Sequence, residues 1–317
     1  MKVYYKGFNL HHQFPSVQNL VENFIDYVYK NLENIEVSYH YLVLLVANTI
    51  TIQGAKNEKI QIEGEISQIS CIEGKILVLL TNGDLLKITD SVQKVPKLMN
   101  LSEDDFISRI SCGSKLTIAL TKNGCLYNVP NKLDYENDEI IDVKSGREHC
   151  LLLDRKGNVF SFGRGSRGQL GLGCLDDELE PKFIEALGGI KIEAIEAGGW
   201  HSCALSKYGD LYVWGWNGNG QLGLFEEGGV SIMATPQVVD LDFNVAKIGC
   251  GSRHTVALSS DGILYGCGWN KYKQLKNDEK KVFYKMTRLG DFSKEVVKCV
   301  KCGPWNTVVL CKDGGGS

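Results

Sequence analysis

The stretch GGWHSCALSKYGDLYVWGWNGNGQLG, residues 198–223, decides the fold, because partial copies of it stand on both sides. A copy that starts with GREH at residue 146 lies 52 residues earlier, and a copy that starts with GSRH at residue 251 lies 53 residues later. In all three copies the histidine is followed by a glycine eight residues later and by another glycine six residues after that. Such constant spacing indicates an internal repeat.

Each copy has the pattern of a β-hairpin. After His149, the apolar run 150–153 has the length of a strand, and residues 159–162 have the pattern of the returning strand. Gly157 lies in the turn between them, where a tight hairpin requires a positive φ. Two strands cannot cover both faces of a hairpin, so we expect neighbouring units to stack on one another.

Weaker copies extend the repeat along the chain. A further copy of the first half, GPWN, begins at residue 303. His40 is followed by Asn48 and Gly54 at the same two spacings, and we expect Asn48 to adopt the left-handed turn conformation almost as readily as glycine. The copies give seven units, centred on positions 40, 75, 116, 149, 201, 254 and 306.

The N-terminus carries the half-unit that the last copy lacks. The last unit stops after its first strand, whereas YYKGFN at residues 4–9, followed by Gln13, matches YVWGWN at residues 212–217, followed by Gln221. We predict that the N-terminal strand completes the seventh unit. Such pairing closes a ring and removes the free edges of the sheet array.

The pattern GxxHxxAL, then G, then VYxWGxNxxGQLG, resembles the repeat of the regulator-of-chromosome-condensation (RCC) family. The resemblance covers essentially the whole chain, with the weakest match over residues 15–140. It implies an all-β fold, a seven-bladed β-propeller. We therefore predict a single RCC-type propeller over residues 1–313, with the glycine-rich residues 314–317 as a linker tail.

Three stretches resemble one subgroup of this family more closely, namely residues 146–216, 250–254 and 302–307. Members of that subgroup form a complex with a JmjC-type oxygenase that depends on iron and 2-oxoglutarate. The resemblance implies a nuclear, non-catalytic protein in a chromatin setting whose partner is the enzyme.

Composition limits the other classes of function. The net charge of −3 does not provide the positive field that strong nucleic-acid binding requires. The best apolar run, residues 41–52, is too short for a membrane span, and the N-terminus lacks the apolar core of a signal peptide. Eleven cysteines without such a signal indicate a reducing compartment. We expect a monomer.

No motif indicates catalysis, a metal or a cofactor. His40, His149, His201 and His254 share one repeat position, so a whole blade separates neighbouring copies, which is too far for shared metal ligands. One repeat position holds a small buried residue of the inner strand, which is Cys71, Cys112, Cys250 or Cys302 in different units. The spacing of Cys299 and Cys302 is explained by the repeat rather than by zinc. The GxGxxG at residues 163–168 is a copy of WGxNxxG and opens no helix.

Two repeat positions are candidates for partner binding. Trp200, Arg253 and Trp305, with Glu148, precede the histidine position, and Arg164, Trp216 and Trp269, with Phe8, follow the glycine of the return strand. Both positions lie at strand ends, and Trp and Arg are the commonest hot-spot residues of protein interfaces. The alternative is that the tryptophans pack between blades, which we expect for Trp214 because Phe162 and Cys267 share its position.

Two segments permit other interpretations. The acidic loop 175–181, with Asp177 and Glu178, is either a solvated surface or a site that steers a basic segment such as a histone tail. Residues 16–34 have apolar residues at helical spacing, whereas the family resemblance implies outer strands or a loop there; we predict irregular structure with a short helix. Rival functions are a guanine nucleotide exchange factor for a small GTPase, which requires an inserted wedge that we do not find, and direct nucleosome binding.

Overall fold

The computed structural model describes residues 1–16, 18–96, 98–137, 139–224 and 228–312, so the predicted tail 314–317 lies outside the described residues. The described residues form seven four-stranded antiparallel sheets, which confirms the predicted all-β, seven-bladed propeller. The strands are β1 Lys2–Phe8, β2 Leu20–Val28, β3 Asn34–Val37, β4 Tyr41–Val46, β5 Thr49–Gly54, β6 Glu58–Gln61, β7 Ile66–Ile72, β8 Lys75–Leu80, β9 Leu85–Ile88, β10 Val92–Lys94, β11 Ile107–Cys112, β12 Thr117–Thr121, β13 Cys125–Asn128, β14 Asn131–Glu136, β15 Ile140–Ser145, β16 His149–Asp154, β17 Val159–Gly163, β18 Glu178–Phe183, β19 Ile192–Ala197, β20 His201–Ser206, β21 Leu211–Trp216, β22 Ile232–Val238, β23 Val245–Cys250, β24 His254–Ser259, β25 Ile263–Trp269, β26 Val282–Asp291, β27 Val297–Cys302 and β28 Asn306–Cys311, with a short 3-10 helix at Glu185–Leu187.

Six blades each use four consecutive strands, and the seventh joins the two ends of the chain. Blades 1 to 6 consist of β3–β6, β7–β10, β11–β14, β15–β18, β19–β22 and β23–β26, and blade 7 has the order β2-β1-β28-β27. In blade 7, Val3 pairs with Leu310 and Tyr5 pairs with Val308. The predicted closure of the ring by the N-terminal strand is confirmed.

The core of the protein is divided among the contacts between blades. Seven clusters of buried apolar side chains each lie between two neighbouring blades, including one between blades 6 and 7 and one between blades 7 and 1. The second strand of a blade is covered on both faces, and all six residues of β16 and of β20 are buried. Continuous apolar runs in the sequence therefore mark these strands.

The prediction of irregular structure with a short helix over residues 16–34 is wrong, because Leu20–Val28 forms the outer strand β2. The pairing with β1 shifts register between Tyr5 and Gly7, and this irregularity breaks the strict alternation of a strand. In addition, Val21 packs against blade 1 and Phe24 packs against blade 6. Apolar contacts from both faces and the shifted register together produced the helix-like spacing.

The alignment of His40 with the other histidines is also wrong by one residue. Tyr41 pairs with Gly54, whereas His149 pairs with Gly163, so Tyr41 occupies the histidine position of blade 1. The cause is a shorter turn, in which Ala47 and not Asn48 has the positive φ of 50°. His40 therefore takes the position of Trp200, and its carbonyl accepts a hydrogen bond from the Ala55 N–H at 3.1 Å.

The return-strand glycine permits a close approach of the preceding loop. Gly215 has a φ of +102°, and a Cβ there would lie 2.7 Å from the Trp200 carbonyl oxygen. An alanine at this position would have a strained φ, and its Cβ would clash with the carbonyl oxygen. We therefore expect Gly215→Ala to lower the free energy of unfolding by roughly 3 kcal/mol. Gly189→Ala is the control: it has a φ of +81° but no neighbour within 4 Å, so only the backbone cost of about 1 kcal/mol applies. Equal urea midpoints for the two variants would contradict this account.

Candidate functional site

A repeated set of hydrogen bonds joins each strong blade to the next. In blade 5, Nε2 of His201 lies 2.9 Å from the Thr255 hydroxyl of blade 6, and that hydroxyl donates to the carbonyl of Gln221. The same three-residue link occurs between blades 4 and 5 and between blades 6 and 7, formed by His149, Ser202 and Gln169 and by His254, Thr307 and Gln274. These links fix the loops at one face of the propeller.

The hydrogen bonds also determine the protonation of the histidines. A hydroxyl has one proton to donate, and in Thr255 it goes to Gln221, so His201 must donate from Nε2. Burial lowers the pKa of His149 and of His201 to about 3 and that of His254 to about 4, which keeps the rings neutral. Their role is structural.

The buried glutamines shape the loop after the third strand. The side-chain oxygens of Gln169 and Gln274 accept hydrogen bonds from the backbone N–H groups of Arg167 at 2.9 Å and Tyr272 at 3.0 Å. The glutamine thus bends the loop so that the residue two positions earlier stands on the face of the propeller.

At this face the loops of blades 4 to 6 place tryptophans and arginines in alternation. The Arg167 guanidinium lies 4.7 Å from the Trp200 ring centre and 5.2 Å from that of Trp216. The Arg253 guanidinium lies 5.6 Å from the Trp216 ring centre and 5.3 Å from that of Trp269. Arg147 covers Trp200 from the other side at 5.1 Å. All are cation–π distances.

The series continues into blades 7 and 1 with aromatic rings. Trp269 lies 6.0 Å from Trp305, and Tyr272 stacks on Trp305 at 4.7 Å. Tyr39 contacts Trp305 at 4.6 Å, and the buried Phe8 lies beneath them. We call the whole set the Trp–Arg belt, and it consists of Arg147, Trp200, Arg167, Trp216, Arg253, Trp269, Tyr272, Trp305, Tyr39 and Phe8.

The structure brings most of the predicted partner-binding residues together in this belt. Trp200, Trp216, Arg253, Trp269 and Trp305 are half-buried, and none of them belongs to the apolar clusters between blades. Trp214, in contrast, is fully buried in the cluster between blades 4 and 5, as expected.

The remaining predicted residues lie at the blade 4 end of the belt. Arg164 is exposed and pairs with Glu148 at 3.4 Å. The Asp177 carboxylate accepts a hydrogen bond from the Gly165 N–H at 2.8 Å, so one of its oxygens holds the loop. Glu178 begins β18 and pairs with Gly163. The proposed steering of a basic partner by Asp177 and Glu178 stays a prediction.

Family models match blades 4 to 6, which carry most of the belt. Residues 156–205 and 208–258 match the Regulator of chromosome condensation (RCC1) repeat, and a second model of that repeat matches residues 140–169, 192–221 and 245–274. In these residues the chain resembles the RCC1 repeat.

Two curated relatives each match about half of this chain. RCC1 domain-containing protein 1 of Homo sapiens is 38% identical over 214 residues, which cover 55% of this chain and 57% of the relative. The ultraviolet-B receptor UVR8 of Arabidopsis thaliana is 36% identical over 177 residues, which cover 55% of this chain and 40% of the receptor. The chain spans about half the length of the curated relatives it matches.

Solved structures show the same fold. Yeast RCC1 (Prp20), in its complex with Kap60, has a TM-score of 0.85 at 16% identity, covering 98% of this chain and 88% of that one. Human WBSCR16 has a TM-score of 0.81 at 16% identity, covering 99% of both chains. At this identity the likeness concerns the fold alone.

The sequence pattern missed several members of the belt. Arg167 and Tyr272 occupy the same place in the repeats of blades 4 and 6, two residues before the buried glutamine. Asn219 occupies it in blade 5, and His11 occupies it after the N-terminal strand. A comparison of this third repeat position would have found them. Tyr39 and Arg147 lie at loop positions for which the repeat gives no residue preference.

The described residues contain one group with the composition of a metal site. Ligand atoms of His201, Cys203 and Cys250 all lie within 4.8 Å of one another in the core. The histidine, however, makes the same hydroxyl link as in blades 4 and 6, where Leu151 and Val256 stand in place of Cys203. Burial also raises the pKa of the Cys250 thiol, so the repeat explains this group without a metal.

A central channel of about 230 Å³ runs between the first strands of the blades. Two ion pairs line it, Lys144 with Glu196 at 2.8 Å and Lys301 with Glu36. The Glu196 carboxylate raises the pKa of the Lys144 ammonium. Cys112 lines the channel as the predicted small inner residue, and burial raises the pKa of its thiol to about 11, so it is not a nucleophile at neutral pH.

None of the described residues forms a helix of the length and apolarity that a bilayer span requires.

Proposed function

We propose that the protein is a non-catalytic scaffold that binds a protein partner on the Trp–Arg belt. The observation that carries the proposal is the continuity of the belt, which joins half-buried Trp and Arg side chains of four blades on one face. Large aromatic and arginine side chains dominate the binding free energy of protein interfaces.

The belt is suited to binding because it is already ordered. Each indole packs against a guanidinium or another ring, and the buried glutamines fix the loops that carry Arg167 and Tyr272. Side chains held in place before association lose less conformational entropy when a partner binds.

We further propose that the partner is a JmjC-type oxygenase and that the complex acts in the nucleus, in a chromatin setting. The support is the resemblance of residues 146–216, 250–254 and 302–307 to the RCC-domain subgroup that partners such an enzyme. The 38% identity to human RCC1 domain-containing protein 1 is consistent with it.

Substitution of two belt tryptophans tests the proposal. We expect the double variant Trp200→Ala/Trp305→Ala to capture at least tenfold less of the JmjC-type oxygenase of the same organism, since truncation of a single hot spot costs about 2 kcal/mol or more. The measurement is recovery of the oxygenase on the tagged chain, by quantitative immunoblot of cell extract and then by calorimetry with both purified proteins.

Tyr208→Ala is the matched control, because Tyr208 is 75% exposed on a hairpin at the opposite end of β20. The control is expected to capture as much oxygenase as the unmodified chain. If a double variant with an unchanged thermal midpoint captured as much oxygenase as the unmodified chain, the Trp–Arg belt would not be the binding surface.

A guanine nucleotide exchange factor is the second candidate, which the resemblance to the RCC family implies because the founding member of that family acts on a small nuclear GTPase. A nucleotide-release assay with a small nuclear GTPase distinguishes exchange activity from scaffolding.

A further inference from the structure

We infer that the arginine segment of this face, formed by Arg147, Arg164, Arg167 and Arg253, binds an acidic segment of a protein partner. The inference rests on the proposed scaffold function and adds the chemistry of the partner: a run of Asp and Glu residues in an extended conformation.

Arginine is concentrated in this segment. The chain has seven arginines, and four of them lie in this segment although the net charge of the chain is −3. Arg164 pairs with Glu148 at 3.4 Å, and Arg147 lies 3.7 Å from Glu73. Among the residues that the structure describes, no carboxylate forms an ion pair with Arg167 or Arg253.

Two guanidiniums of the segment have hydrogen-bond donors available for a ligand. A guanidinium carries five N–H donors in a planar fork that matches a carboxylate. Within the described ranges, the Arg167 and Arg253 guanidiniums donate to no protein acceptor and are held only by the indoles they cover. Their edges are therefore oriented and open, and bidentate carboxylate pairing requires this arrangement.

The aromatic rings of the segment favour an acidic protein over a single-stranded nucleic acid, which also carries negative charge. Such a strand binds by stacking its bases on free aromatic faces. Here arginines cover Trp200 from two sides at 5.1 and 4.7 Å, and two guanidiniums pack on Trp216 at 5.2 and 5.6 Å. Since the ring faces are occupied, the donors at the guanidinium edges are what remain for a ligand.

The size of the segment sets the length of the ligand. From Arg147 through Trp200, Arg167 and Trp216 to Arg253, each guanidinium-to-ring step is 4.7 to 5.6 Å long. An extended chain advances by about 3.4 Å per residue, so about six residues cover this path. Alternate side chains of an extended segment point to the same side, so two or three carboxylates would face the arginines.

Selection from a random library of twelve-residue peptides on phage tests the inference without knowledge of the partner. We expect the full chain to select peptides enriched in Asp and Glu. Synthetic versions of these peptides are expected to bind at least tenfold more weakly to Arg167→Gln/Arg253→Gln, and more weakly as salt is raised. A dT12 oligonucleotide is the nucleic-acid probe and is expected to bind more weakly than the peptides.

Arg155→Gln is the control variant, because Arg155 is exposed at the hairpin turn of blade 4, at the far end of β16 from the belt. It is expected to bind the peptides with unchanged affinity. Selection of Lys- or Arg-rich peptides, selection without charge preference, equal binding by Arg167→Gln/Arg253→Gln, or tighter binding of the oligonucleotide would overturn the inference.

The result of the peptide selection can be distinguished from the result of the oxygenase capture. If acidic peptides bind through Arg167 and Arg253 but no oxygenase is captured, the inference stands and the oxygenase is the wrong partner. If the oxygenase is captured through Trp200 and Trp305 but no acidic peptides are selected, the inference falls and the scaffold function stands.

Discussion

Lowering the pH from 7 to 5 is expected to lower the free energy of unfolding of this protein by roughly 5 kcal/mol. The cause is the three buried histidines that link the blades, His149, His201 and His254, which are neutral in the fold because burial lowers their pKa to about 3, 3 and 4. A histidine in the unfolded chain titrates near its ordinary pKa of about 6.5. The stabilisation is therefore fully present above pH 6.5 and is lost as the pH falls toward the folded values.

The size of the effect follows from proton linkage. Below the unfolded pKa, each neutral histidine costs about 1.4 kcal/mol per pH unit, because the unfolded state binds a proton that the folded state excludes. Carboxyl groups act at lower pH: hydrogen bonds from Tyr4 and from Ser293 lower the pKa of Glu295 and of Asp291 from 4.5 and 3.8. Urea unfolding between pH 7 and pH 5 thus measures mainly the histidines.

The chain itself provides the matched variant for this measurement. Blade 7 has Asn306 at the histidine position, paired with Gly7 as His149 is paired with Gly163. We expect His201→Asn to lose about 1 kcal/mol at pH 7, where the hydrogen bond to Thr255 is removed, and to reduce the loss between pH 7 and pH 5 by about a third. An unchanged pH dependence in this variant would show that another group causes the acid sensitivity.

The sequence predicts the fold best where the same local requirement recurs in every repeat and selects the same residue. Gly215 must have a positive φ beside the Trp200 carbonyl, and Gln221 must hold its loop, so these residues recur at fixed spacing. The ring closure was predictable for the same reason, because residues 4–9 retain the pattern of the strand that they replace.

The errors arose where packing replaces the repeat pattern. The outer strand β2 packs Val21 against blade 1 and Phe24 against blade 6, so apolar residues occur on both faces and the alternation of a strand is lost. In blade 1 the two-residue turn at Ala47 and Asn48 is shorter than the turn after β16, which displaces His40 by one residue. Turn length changes the register without changing the apolar pattern.

The tryptophans and Arg253 of the candidate site were predictable from the repeat, but the surface that they form with Arg147, Arg167, Tyr272 and Tyr39 was not. The tryptophans and Arg253 stand at fixed repeat positions, whereas the order in which guanidiniums and indoles alternate depends on how the loops of neighbouring blades meet. Arg167 reaches both Trp200 and Trp216 because Gln169 bends its loop, and that geometry is a product of the closed ring.

The ring closure leads to the second large expected effect, a loss of roughly 5 kcal/mol in the free energy of unfolding for Tyr5→Ala. Tyr5 lies in β1 with no exposed surface, and its ring stacks on Phe14 at 4.9 Å. Its hydroxyl donates to the Phe8 carbonyl and accepts from the Asn306 amide at 3.0 Å. The substitution therefore leaves a cavity between blades 7 and 1 and a buried amide without a partner.

Two further variants at the same sheet separate these causes. Tyr5→Phe keeps the ring and is expected to cost about 1 to 3 kcal/mol, the range for an unsatisfied buried polar group. Tyr27→Ala removes a ring from β2 that is 46% exposed, and we expect it to cost below about 1 kcal/mol. The measurements are urea unfolding and size-exclusion chromatography, since weakened pairing of β1 with β28 uncovers strand edges that associate with other chains. If Tyr5→Ala unfolded at the same urea concentration as Tyr27→Ala and stayed monomeric, the N-terminal strand would not be what holds the seven blades in a closed ring.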